Sequence, residues 1–219
     1  ERAKGHDYFD YADVSVSPNK QYVAWLEDHE GRRQNQIMVK QLDTGTVRVL
    51  PQDNLGFGLV WSANSQSLFA VEREQGTLRE HRVIRVALDS GKATRVLHEP
   101  DEQFALYLSQ TMSGRYLVIQ AEQTEQTNLY LVDLLSTDYK AVVFTEPAAD
   151  HRYAIDHIDD HFYVISNLDA PNGQLFKVAQ GSHAGRDHWR LLVQHREDAS
   201  VEAITILNGA LFTLERTKG

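Results

Sequence analysis

The densest group of side chains able to bind a metal or move a proton is "DHRYAIDHIDDH", residues 150–161. His157 and His161 stand four apart, with Asp156, Asp159 and Asp160 among them. On a helix that spacing puts both imidazoles on one face, where they could hold zinc. In an extended chain, Asp159-Asp160 instead become a hairpin tip and the histidines fall on different strands as solvated turn charges. The flanking apolar residues favour the second arrangement, so no metal ligand is assigned. The nearest approach to the Gly-x-Ser-x-Gly turn that exposes a nucleophilic serine is "GSHAG" (181–185). It puts His183 at the serine position and Ser182 one place early, with no helical pattern after it. It is read as chance, and no catalytic or cofactor-binding residue is assigned. In "EGRRQ", Arg32 and Arg33 are expected on an exposed loop, paired with Glu27, Asp28 or Glu30. The alternative is contact with another domain. Substrate-binding residues stay unassigned.

The chain around these residues is of ordinary globular composition, 42% hydrophobic and 24% charged over 219 residues. It has no cysteine, which excludes disulfides, a thiolate nucleophile and a thiolate zinc site. Its net charge of −9, with Lys and Arg scattered singly, leaves no basic stripe for nucleic acid. No apolar run approaches the roughly 18–20 residues of a membrane-spanning helix, and the first residues lack the apolar core of a secretory signal. Beginning at Glu1, the chain is expected to be a piece of a longer polypeptide.

What positions the polar residues is a repeat of short strands. "QYVAWLE", "SLFAVER", "YLVIQAE", "HFYVIS" and "ALFTLE" are rich in β-branched and aromatic residues and flanked by turn formers. "VSVSPNKQYVAW" (14–25) aligns with "LVWSANSQSLFAV" (59–71) at a shift of 45, placing Ser17 on Ser62 and Asn19 on Asn64. "QIMVKQLDTG" (36–45) aligns with "RVIRVALDSG" (82–91) at a shift of 46. Four strands per unit of this length is the signature of a β-propeller blade. The predicted fold is therefore all-β: a partial, open β-propeller of four-stranded antiparallel blades, about four plus the start of a fifth. A lead-in at 1–11 precedes blades at 12–56, 57–103, 104–152 and 153–200. Residues 201–219 form the first strands of an incomplete fifth blade. "SPNK", "SANS", "MSGR" and "LNGA" are expected to supply fixed or positive φ from Pro, Asn and Gly. Trp25 and Trp61 are expected between blades rather than in a ligand cage.

At "HRYAIDHIDDHFYVISNLDAPNGQLFKV" (151–178) the sequence resembles the N-terminal propeller of the prolyl oligopeptidase family, most closely its oligopeptidase B (protease II) branch. The residues carrying this are His151, Tyr153, Asp156, His157, Phe162, Tyr163, Asn167, Ala170, Pro171, Asn172, Leu175 and Phe176. "RAKGHDYFDYADVSVSPNKQYVAW", "EDHEGRRQNQIMVKQLDTG" and "GLVWSANSQSLFAVERE" resemble the same family. In the Ala-Pro-Asn turn, Pro171 is expected to fix φ near −65° and Asn172 to take the left-handed region. The resemblance implies a serine peptidase in which a propeller caps a C-terminal α/β-hydrolase domain, excludes folded proteins and admits short peptides cleaved after Arg or Lys. It implies no cofactor and a cytoplasmic enzyme, with the periplasm as the alternative. The chain alone is then expected to be inactive and, with a half-built blade exposed, to pair as an open-arc homodimer. Two rivals remain: a protein-interaction propeller, and a propeller enzyme with carboxylates on its innermost strands, where the early blades supply only Asp13.

Overall fold

A computed structural model describes residues 2–207 and 209–217. The Leu-Asn-Gly-Ala turn expected at 207–210 falls partly outside these, at Asn208. Among the described residues there is no α-helix, and only two single-turn 3-10 segments interrupt the strands. The first sheet comprises β1 (Asp10–Val16), β2 (Tyr22–Asp28), β3 (Gln36–Gln41) and β4 (Val47–Val49). The second has β5 (Val60–Trp61), β6 (Ser67–Arg73), β7 (Glu80–Ala87) and β8 (Ala93–His98). The third has β9 (Ala105–Gln110), β10 (Tyr116–Glu122), β11 (Thr127–Asp133) and β12 (Val142–Val143). The fourth has β13 (Tyr153–Ile158), β14 (His161–Ser166), β15 (Gln174–Ala179) and β16 (Arg190–Val193). A two-stranded sheet of β17 (Ala199–Leu207) and β18 (Ala210–Thr217) follows. Each four-stranded sheet is an antiparallel meander in chain order, and β1 lies against β5 and β5 against β9. This is the open β-propeller the repeat predicted.

The middle strands explain the stacking. In β6 alternate residues face opposite neighbours: Leu68 and Ala70 join Ala24, Leu26, Ile37 and Val39 of the first sheet, while Phe69 and Val71 join Leu117, Ile119 and Val132 of the third. A strand covered on both sides reads as a continuous apolar run. The third and fourth sheets meet through Tyr116, Val118, Leu129, Leu131 and, just after β12, Phe144 against Phe162, Val164 and Val178. Each such side chain, fully buried, contributes roughly 1.5–3 kcal/mol before the entropy of ordering it. Beyond the fourth sheet the hairpin exposes Phe212 and Leu214, at 53% and 60%.

The glycines of MSGR and LNGA, Gly114 (70°) and Gly209 (77°), take the positive φ expected of them, but the first two turns work differently. Positive φ is taken by Lys20 (59°) and Ser65 (59°), not by Asn19 or Asn64. The asparagine side chains instead accept bonds from Ser17 Oγ and Ser62 Oγ, both at 2.7 Å, bracing the turn from within. Trp61 is buried in the first junction, its Nε1 donating to the Ser15 carbonyl at 3.2 Å. Trp25 points to the other side of the first sheet, away from that core, because alternation that turns Ala24 and Leu26 inward turns Trp25 out.

Candidate functional site at the lead-in end of the blades

The first strand of each sheet leads away from the end at which the chain arrives. The β2–β3, β6–β7 and β14–β15 loops and the connectors between sheets therefore gather at that lead-in end. Residues 2–9 fold onto it. Arg2 Nη2 donates to Glu27 Oε2 at 2.7 Å and Arg2 Nε donates to Oε1. Trp25 Nε1 donates to Oε1 at 2.6 Å and His29 Nε2 to Oε2 at 2.8 Å. Burial would push the Glu27 carboxyl up, but bonds from Arg2, Trp25 and His29 outweigh it and hold it below the usual carboxylate range. The His6 and Phe9 rings pack on His29 at 4.2 and 5.5 Å.

Asp28 shapes the next five residues. Its Oδ1 accepts from Glu30 N at 2.9 Å and Gly31 N at 3.0 Å, and its Oδ2 from Arg33 N at 2.7 Å. Gly31 (φ 72°) and Arg33 (φ 57°) take the left-handed turns this closure needs. Arg32 is left outside, 71% exposed and 3.4 Å from Glu30. Arg33 is fixed by its backbone, its carbonyl accepting from Arg73 Nη1. The Arg73 guanidinium is buried against Glu80 at 2.7 Å and lies 5.5 Å from the Phe57 ring. The connector from β4 to β5 runs between the first two sheets. Asn35 and Leu55 exchange backbone bonds at 3.2 and 3.1 Å, Gly56 N donates to Val71 O and Arg73 N to Asn54 O, both at 2.9 Å. Beside it a cleft of about 430 Å³ is walled by Glu27, Asp28, Glu30, Asp53, Gln34 and Asn54.

The Ala-Pro-Asn turn stands on the same end and joins sheets as well as redirecting the chain. Val201 N donates to Asn172 O at 2.9 Å, and Asn172 Nδ2 donates to Arg196 O at 2.8 Å. Asn167 Oδ1 accepts from Arg152 N at 2.7 Å, tying the turn back to the preceding connector. The left-handed residues are Asp169 (φ 54°) and Gly173 (φ 80°), so the role expected of Asn172 belongs to its neighbours. A Cβ on Gly173 would stand 3.1 Å from Val201 O. Gly173→Ala is expected to cost about 1–2 kcal/mol, from the positive φ and the displaced β17, measured as a lower denaturation midpoint.

The polar cluster singled out in the sequence is partly interior. β13 and β14 pair His157 with Phe162 and Ile158 with His161, so the histidines are on separate strands and Asp159 (φ 52°) makes the tip. His157 is not a solvated turn charge: the sheet's alternation carries it inward, where its Nδ1 meets Ser113 Oγ at 2.9 Å under Tyr116 and Phe162. Asp156 Oδ1 accepts from Met112 N of the neighbouring sheet at 2.8 Å. Among the described residues no three His, Asp or Glu side chains gather as a metal-binding set. In "GSHAG", residues 180–182 form a 3-10 turn, and His183 Nδ1 donates to Phe144 O at 2.6 Å while stacking on that ring.

One pair was not visible in the sequence. Ser166 Oγ lies 2.8 Å from His151 Nε2, the separation of a nucleophile and its base. Both are sealed, at 2% and 1% exposure, and Ser166 Oγ also accepts from Leu168 N. His151 Nδ1 has no partner among the described residues, and burial lowers the imidazole to about 4. The pair braces the start of the fourth sheet and cannot reach a peptide bond. Asp13 likewise has a structural task, its Oδ2 accepting from Gly58 N at 2.6 Å.

Comparison with known proteins follows these features closely. The family model described as the prolyl oligopeptidase N-terminal beta-propeller domain matches residues 1–219. Dipeptidyl aminopeptidase BI of Pseudoxanthomonas mexicana is 29% identical over 97% of this chain and 30% of its own length. Protease 2 of Moraxella lacunata is 22% identical over 81% of this chain and 26% of its own. Oligopeptidase B from Leishmania major superposes with a TM-score of 0.89 at 22% identity, covering 99% of this chain and 31% of that one. The chain thus spans under a third of the length of these relatives.

Proposed function

Because the chain belongs to the prolyl oligopeptidase family, as its N-terminal β-propeller domain, we propose that it is the substrate-gating propeller of an oligopeptidase B-like serine peptidase that cleaves short peptides after Arg or Lys. The supporting observation is that 97% of this chain aligns with 30% of a peptidase, leaving most of the relative's length for the part that performs acyl transfer. In this reading a C-terminal α/β-hydrolase domain sits over the lead-in end, because residues 2–9 are tied down there through Arg2 and Glu27. Arg32, free of the turn that holds Arg33, is the side chain best placed to meet it. The acidic cleft beside Glu27 and Asp53 favours approach of cationic peptides over anionic ones. The remaining strands of the fifth sheet, rather than a second copy of the chain, would cover Phe212 and Leu214.

A second reading comes from the name of the 29% identical relative: release of dipeptides from an amino terminus. One experiment separates them. The full-length protein is given a blocked Arg p-nitroanilide and a free-amine dipeptidyl p-nitroanilide, with the 219-residue chain as control. Turnover of the blocked substrate, stopped by a serine-directed inhibitor and absent from the control, is expected. Turnover of the free-amine substrate alone would select the second reading, and turnover by the control would overturn both.

A further inference from the structure

A second cavity is at the far end of the blades from the site above. It is a groove of about 920 Å³ between the first two sheets, closed on one side by the β11–β12 connection of the third. That volume suits a peptide of a few residues. Its walls repeat, because the repeated turns supply them. Asn19 Nδ2 donates to Gln21 Oε1 at 3.1 Å, and Asn64 Nδ2 to Gln66 Oε1 at 3.4 Å. Both glutamine oxygens are used, and both residues line the groove, so each Nε2 remains a donor there.

Two guanidinium groups join them. Arg48, on β4, donates through Nη2 to the Leu88 carbonyl across the groove. Arg85, on β7, lies 5.0 Å from the centre of the Tyr139 ring. Among the described residues neither forms an ion pair within 4 Å, which leaves both guanidinium groups able to take a further acceptor. The groove holds two arginines and one carboxylate, Asp89, so it keeps an excess positive charge that a single further carboxylate would neutralise. Tyr139 shapes the Arg85 side of the groove. It is buried, meets the Phe69 ring edge-on at 5.4 Å, and holds φ at 48°. Left-handed backbone at a bulky residue is costly and persists where its surroundings enforce it, commonly at ligand sites. Here it places the ring under Arg85.

We propose that this groove binds an extended peptide segment through one carboxylate, held between Arg48 and Arg85, with the Gln21 and Gln66 amides bonding the adjoining peptide groups. Tyr22 offers a ring for a neighbouring side chain. A single carboxylate fits better than a phosphate. The planar forks match its two oxygens, and Asp89, on the groove wall, repels a doubly charged group more strongly. Lying opposite the lead-in end, the groove is separate from the route proposed for substrates.

The test uses fluorescence anisotropy on the full-length protein, with fluorescein-labelled Ala-Ala-Tyr-Glu amide, which carries one peptide carboxylate, as probe and the equally labelled Ala-Ala-Tyr-Gln amide as its neutral counterpart. Saturable binding of the acidic probe is expected. The neutral counterpart, and the R48Q/R85Q variant with the acidic probe, should each bind about tenfold or more weakly. R85K, which keeps charge without the fork, separates loss of the bidentate contact from loss of fold, and circular dichroism checks each variant. Turnover of peptide substrates should be unchanged in R48Q. Equal binding of both probes, undiminished binding by a folded double variant, or displacement of the acidic probe by inorganic phosphate more readily than by acetate would each overturn the proposal.

Discussion

Lowering the pH from 7.5 to 4.5 is expected to remove about 2–3 kcal/mol of stability through one side chain, His151. Burial lowers its imidazole from 6.5 to about 4, with the Arg186 charge adding to the effect. A histidine whose pKa falls on folding favours the folded state only while neutral. Its contribution is complete above about 6.5 and is lost progressively down to about 4. His157 and His81 are shifted downward too, first by burial, so they add to the same acid window. Glu27, held low by its donors, loses its contribution lower still, as its carboxyl protonates. The measurement is a urea denaturation series across this range for the native chain and H151F. Phenylalanine retains the stacking on Tyr153, 4.4 Å away, and cannot titrate. The variant should lose about 2–3 kcal/mol less than the native chain over the same interval. Parallel curves for the two would show that His151 does not carry the acid sensitivity.

Phe162→Ala should be the most damaging single truncation at the junction of the third and fourth sheets, costing about 3–5 kcal/mol. The ring is fully buried and touches four others: Tyr116 at 5.3 Å, Phe144 at 5.2 Å, His157 at 4.6 Å and His183 at 5.6 Å. Those neighbours come from two strands, β10 and β13, from the bend after β12 and from the turn after the first 3-10 segment, so they cannot collapse together into the space left behind. Phe212→Ala is the control. That ring is half exposed on the terminal hairpin, and its removal should change stability by less than about 0.5 kcal/mol. Comparable midpoints for the two variants would mean the aromatic cluster does not hold the sheets together.

The fold was legible because blade stacking imposes local rules. A strand covered on both sides must be apolar throughout, as in "SLFAVER", and a repeated turn must repeat its bracing side chains, as Ser17-Asn19 and Ser62-Asn64 do. What could not be read depends on contacts between distant residues. Arg2 meets Glu27 only because the lead-in doubles back, and nothing local marks His151 and Ser166 as partners across fifteen positions. Backbone conformation misled where unexpected residues took the strained role. Lys20, Ser65 and Tyr139 adopt positive φ, and none belongs to the Gly-Asn-Asp group that announces it. Asn172 offered the right residue type for that conformation, but its side chain is spent on the Arg196 carbonyl. His157 was misplaced for a simpler reason: hairpin-tip charges hide which member of an alternating pair faces inward.

The seams between sheets are unequal, and this bears on how the arc deforms under load. Main-chain bonds cross or bridge the first seam through Leu55, the third through Ser113 N to His157 O and Thr127 N to His151 O, and the fourth through Val201. Among the described residues the second seam has none; its polar link is the Arg79 side chain, donating to the carbonyls of Glu99, Asp101 and Phe104. Apolar surfaces slide more readily than amide ladders shear. Bending should therefore concentrate between β6–β7 and β9–β10, with two stiff plates rocking about a greased joint.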